Sequence, residues 1–212
     1  MSHIINGHTL KIALEGLEKT YKEMRRDDLD FDKVADIIMT HSIGAATSSL
    51  ASAWIPGVGS TVAVTVSVGF IWSMYFRINS HLGIKLKKNL LKSLASAIAV
   101  NLAGYLATIL VVGAIVTFIP GLGTITGELL MSLACFALTY VSGIVYLKVL
   151  TKLFNAKRDI NTMSSDEFQE AAKKVMSGMK VDEVMKEAKS EFKRTKKDGS
   201  IGSVKVDKVD DD

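Results

Sequence analysis

Few residues in this chain have the types and spacing that chemistry requires. Gly121, Gly123 and Gly127, after the apolar run of residues 111–118, imitate a strand followed by a glycine loop that cradles a dinucleotide. No acid follows at the distance needed to hold a ribose, so the imitation stops there. Gly57-Val58-Gly59-Ser60-Thr61 resembles the end of a phosphate-binding loop but lacks its lysine, which argues against nucleotide hydrolysis. His3, His8, His41 and His81 are scattered without metal-ligand spacing, and His41, alone in an apolar run, reads as a hydrogen-bonded packing residue. The single Cys135 excludes an intramolecular disulfide and a cysteine-based zinc site, and is compatible with a reducing compartment. Glu128 is the lone acid between Lys92 and Lys148. An acid inside an apolar span is costly and tends to line a polar interior, which makes Glu128 a candidate functional intramembrane acid; its closeness to Gly123 allows an interfacial position instead. No catalytic residue, metal or cofactor is expected, and the chain reads as not an enzyme.

Two near-identical turns set where these residues can sit. Ile55-Pro56-Gly57-Val58-Gly59-Ser60 and Ile119-Pro120-Gly121-Leu122-Gly123-Thr124 hold the only two prolines. Proline fixes its own backbone angle, lacks an amide hydrogen and turns the preceding residue away from helical geometry, so a helix should stop near Trp54 and again near Phe118. Gly57 and Gly59, like Gly121 and Gly123, permit the positive dihedral angles of a sharp reversal. Trp54 and Phe118 suit an interfacial position at the helix ends, and Ser60 and Thr124 can cap the helices that follow.

Around the turns the chain is nearly uncharged. Of 212 residues 48% are apolar, and residues 37–76, 93–127 and 129–147 carry no Asp, Glu, Lys or Arg. Mean hydropathy is +0.26. The pattern predicts four helical segments over 34–54, 58–80, 92–118 and 122–153, each near the roughly 20 residues that cross a hydrocarbon layer. Small residues such as Gly44, Ala45, Ala46, Ala95, Ala99 and Gly104 allow close helix approach, in lipid or in a tight soluble bundle. The fold class expected is all-α: two apolar helical hairpins with Ile-Pro-Gly-x-Gly turns, flanked by amphipathic N- and C-terminal helices.

Charge is confined to the ends and one loop, and the net charge of +4 is mild. Arg77, Lys85, Lys87, Lys88 and Lys92 form a stretch with no acid, expected to be a basic loop at a membrane surface, with a plain solubilising loop as the alternative. By the positive-inside rule this loop and both ends face the cytoplasm and the Pro-Gly turns point away. Residues 1–33 lack the layout of a signal peptide and read as an amphipathic helix. Residues 34–155 form the apolar module. Residues 156–195 hold two amphipathic helices, the first opened by a capping box at Ser164 and Glu167, and 196–212 read as a flexible tail.

The first Ile-Pro-Gly turn, the helix ending in Met74-Tyr75-Phe76-Arg77-Ile78 with Leu82-Gly83-Ile84, and the run Ile119 to Gly127 followed by Ala134, Ala137, Leu138, Thr139, Tyr140, Gly143 and Tyr146 resemble the YcjF-like, GTPase-associated hydrophobic domain family over about residues 35–155. The resemblance implies a helical, membrane-associated domain found beside or fused to a small GTPase. This chain carries no GTPase domain, so such a partner would act in trans. The function expected is that of a non-enzymatic membrane anchor or partner protein at a bacterial-type inner membrane. The partners expected are a lipid bilayer, a GTPase and further copies of the chain, with no nucleic acid. Two alternatives stay open: a pore-forming or membrane-perturbing effector that folds as a soluble bundle and inserts, and a soluble cytoplasmic protein-binding module.

Overall fold

The computed structural model describes residues 7–24, 29–52, 59–113, 118–119, 123–124, 127–160 and 162–202. Seven helices occur among them: α1 (His8–Glu23), α2 (Phe31–Ser52), α3 (Gly59–His81), α4 (Lys88–Gly113), α5 (Gly127–Asn155), α6 (Ser165–Ser177) and α7 (Val181–Lys197). The four apolar segments are α2 to α5, with ends shifted by a few residues. The second turn departs from the helical expectation: a two-residue strand β1 (Phe118–Ile119) pairs antiparallel with β2 (Gly123–Thr124). Phe118 lies in a strand and does not end a helix, and positions 123 and 124, expected to be helical, are strand as well. Ile119 precedes proline and Thr124 is β-branched, and both preferences are for extended backbone.

The charge-free stretch after Glu128 makes α5 the axis. Every other helix packs on it, and α2 makes the most extensive contact. Gly143 explains that closeness: a Cβ there would lie 2.9 Å from Ile38 Cγ2. Ser132 Oγ donates to the Ala46 carbonyl at 3.0 Å, so α2 runs antiparallel to α5. α3 runs parallel to it, because Tyr75 meets Ser142 and Tyr146 meets Asn79. The Tyr75 and Tyr146 rings stack at 4.0 Å and the Tyr146 hydroxyl donates to Asn79 Oδ1 at 2.6 Å, which satisfies polar groups that burial would otherwise penalise.

Three amphipathic helices cover this assembly. α1 lays Leu10, Ala13, Leu14, Leu17 and Tyr21 inward, at the spacing of one helical face. α6 begins with the expected capping box, Glu167 N donating to Ser164 Oγ at 3.3 Å and Ser164 N to Glu167 Oε2 at 2.9 Å. α7 buries Val184, Met185, Ala188 and Phe192, the last edge-on to Phe136 of α5. Its helix continues to Lys197, into the stretch expected to be flexible, and Ile201 beyond it is buried. Buried residues of all seven helices join in one hydrophobic cluster, so residues 7–24 and 165–202 belong to the same core as the apolar segments.

One carboxylate ties the cover together. α1 has no capping side chain of its own at Gly7. Glu187 of α7 accepts from the backbone N–H groups of Thr9 (2.7 Å) and Leu10 (3.2 Å), and from the Tyr140 hydroxyl of α5 (2.8 Å). A negative charge at a helix N-terminus is favourable, and hydrogen bonds to ionised groups exceed neutral ones. Glu187→Ala is expected to cost about 2 kcal/mol in urea unfolding. Gly7→Ala should destabilise the same joint, because its Cβ would collide with the Tyr140 hydroxyl and the Glu187 carboxylate.

Candidate functional site

Helix directions bring one kind of surface together. α2 and α3 are antiparallel, joined by Ser73 and His41 at 3.2 Å, and α4 returns along α3, with Lys92 Nζ 4.7 Å from the centre of the Trp72 ring. The end of α2, the start of α3, the end of α4 and the start of α5 therefore lie at one end of the bundle. Apart from Glu128, no residue from 37 to 76 or from 93 to 147 is charged. Val100 on α4 is 63% exposed, and Val66, Phe70, Leu129, Leu130 and Met131 are half-buried. The cover is incomplete here: α7 reaches Phe136 through Phe192, and Gly202 N reaches Thr47 Oγ1 at 2.8 Å. Residues 127–131 of α5 extend by about 8 Å, at the rise of an α-helix, past Ser132, which bonds to Ala46 next to Thr47.

The expected hairpin-turn residues Pro56, Gly57, Pro120 and Gly121 and the aromatic Trp54 lie outside the described residues. Gly59 opens α3, Gly123 lies in β2 and Phe118 in β1. Glu128 is exposed in the first turn of α5, where the positive end of the helix dipole favours an acid; it does not line a polar interior.

The five basic residues grouped as one loop separate. α3 continues through His81, and this turns Arg77 inward against α2. Lys85 and Lys87 are exposed in the connection, Lys88 opens α4 and Lys92 lies over Trp72. Arg77 instead lines a cleft of about 530 Å³ with Lys33, Asp36, Ile37, Thr40, His41, Phe76, Ser80 and His81. This cleft is at the end of the bundle opposite the apolar surface.

At the floor of the cleft, His41 is buried and bonded on both ring nitrogens. Its Nδ1 lies 2.7 Å from the Ile37 carbonyl and must donate to it, so Nε2 accepts from Ser73 Oγ. Serine beside imidazole is the pairing of a nucleophile and base, but Ser73 is buried inside α3, whose backbone N–H groups are engaged in the helix and offer no oxyanion site. Burial lowers the His41 pKa to about 4; the Arg77 charge acts in the same direction and the Ile37 carbonyl opposes it. The unfolded chain takes up this proton at its ordinary value and the folded chain only well below it, so stability is present above pH 6.5 and declines as pH falls towards 4. The full loss is about 3 kcal/mol. Urea midpoints measured across that window should fall with pH, and His41→Asn should flatten the fall.

These buried polar pairs have no local signature in the sequence. Tyr75, Ser142, Tyr146 and Ser73 stand in apolar runs as isolated polar residues and Asn79 lies just beyond one, and only the meeting of α3 with α5 and α2 assigns their partners. Among the described residues one helix, Glu128–Asn155, is long and apolar enough to cross a membrane, and 83% of its most apolar window is buried inside the protein. No protein-family profile matches the chain, and neither does any curated protein or solved structure.

Proposed function

We propose that this chain is a peripheral membrane-binding helical bundle whose uncharged end dips into one leaflet while the α1, α6 and α7 side stays in water. The observation that carries the reading is the coincidence of four helix ends at one end of the molecule with a single charge among them, the exposed Glu128 that opens α5, just where the charged cover stops. The extension of about 8 Å is shorter than half of a hydrocarbon core of about 30 Å, which suits an end that enters one leaflet and does not cross it. Spanning by α5 in this arrangement would carry the lysines of α7 and the acids and lysines of α1 into hydrocarbon, which costs several kcal/mol per charge. The bundle then acts as a non-enzymatic anchor. A GTPase acting in trans, the partner implied by the family resemblance, would meet its water-facing helices.

Flotation of the purified chain with phosphatidylcholine/phosphatidylglycerol vesicles tests the reading. The protein is expected to rise with the vesicles without releasing an entrapped dye; a protein left at the bottom of the gradient overturns it. Rapid dye release would favour a second reading, supported by the length of α5 and its cover held at Glu187: an effector whose cover opens so that α5 inserts fully.

A further inference from the structure

All five lysines of α7 share one flank. Lys186, Lys189, Lys193 and Lys196 follow at three- and four-residue steps, with Lys197 four residues after Lys193, beside the buried stripe of Val184, Ala188 and Phe192. None of them makes an ion pair among the described residues. The acids nearby are otherwise engaged: Glu191 is buried against Arg194 at 2.8 Å, and Asp198 lies 3.9 Å from the same guanidinium. The acids Asp182 and Glu183 stand at the opposite end of the helix. Phe192 against Phe136 and Gly202 against Thr47 put Lys193, Lys196 and Lys197 level with the base of the apolar end.

We infer that this lysine flank binds the phosphate headgroups of anionic lipids when the apolar end enters the bilayer. The inference rests on the peripheral reading above and adds its lipid preference. It replaces the loop of Lys85, Lys87 and Lys88 as the headgroup contact. α3 separates that loop from the apolar end by its 23 residues, about 33 Å, several times the distance over which salt screens exposed charges. Each lysine near an anionic surface strengthens binding roughly fivefold. Basic residues at a helix C-terminus are also favoured by the helix dipole, so the test must read lipid binding and not stability.

The experiment compares flotation of the full chain with vesicles of phosphatidylcholine alone and with added phosphatidylglycerol. A Lys193→Gln/Lys196→Gln/Lys197→Gln variant is expected to bind the anionic vesicles roughly a hundredfold more weakly and to bind neutral vesicles as the parent does. A Lys85→Gln/Lys87→Gln/Lys88→Gln variant should bind both as the parent does. High salt should erase the difference between the parent and the α7 variant. Equal binding of the α7 variant and the parent to anionic vesicles overturns the inference, as does an equal loss in the loop variant. If the α7 variant binds like the parent while Val100→Asp binds neither vesicle, the peripheral reading stands and the lysine flank fails alone. A parent that binds neither vesicle removes both.

Discussion

Val100→Asp is expected to lose about two orders of magnitude of vesicle binding while unfolding at the same urea concentration as the parent. Val100 is 63% exposed on α4, so a carboxylate there remains hydrated in the free protein and takes no packing from the core. In hydrocarbon the same carboxylate costs about 3 kcal/mol, which is roughly a hundredfold in partition. Flotation at a series of lipid concentrations measures the loss, and urea melts verify the fold. Binding that survives the substitution would mean that the uncharged end is not what meets the bilayer.

Gly143→Leu should have the largest effect on stability of any single change considered. A bare Cβ at this position already lies 2.9–3.1 Å from three carbons of Ile38, and a leucine brings three further carbons into the contact of α2 with α5. Overpacking of this kind costs about 3 kcal/mol and should lower Tm by roughly 6–12 °C in a chain of this size. Adding Ile38→Ala vacates the space the leucine needs, so the double variant should be less destabilised than the sum of the two singles. Thermal melts of the four proteins read both effects. A Gly143→Leu protein that melts with its parent would separate α2 from α5.

Charge spacing made the helices legible. The uncharged runs bounded by Asp36, Arg77, Lys92 and Lys148 became α2 to α5, and the apolar stripes of residues 10–21, 168–176 and 184–192 became the buried faces of α1, α6 and α7. Which run lies at the centre was not legible, because all four are similarly apolar. The distinction of α5 is that its polar residues find partners: Ser132 on Ala46, Ser142 on Tyr75, Tyr146 on Asn79 and Tyr140 on Glu187. Those pairings depend on the tertiary arrangement, and no local pattern encodes them.

Adjacency in sequence misled in one place. Arg77 was grouped with Lys85 to Lys92 because no acid intervenes, but α3 holds four further residues beyond it, and the helical rotation directs its side chain into the cleft beside His41. The lysines of α7 carry no signal of their own in the sequence for the converse reason. Their significance arises from Phe192 reaching Phe136, a contact between residues 56 positions apart. Glu128, conspicuous as a lone acid, proved to occupy a place that any helix start favours.

The joint at Glu187 has a consequence during synthesis. Thr9 and Leu10 take their acceptor from a residue 178 and 177 positions later, so the first helix emerges from the ribosome long before the group that completes its end exists. Until α7 is made, the flank of α5 around Tyr140 is open, and nascent chains carry their central apolar helix bare on that side. A bilayer close to the translating ribosome would therefore meet a greasier protein than the finished one.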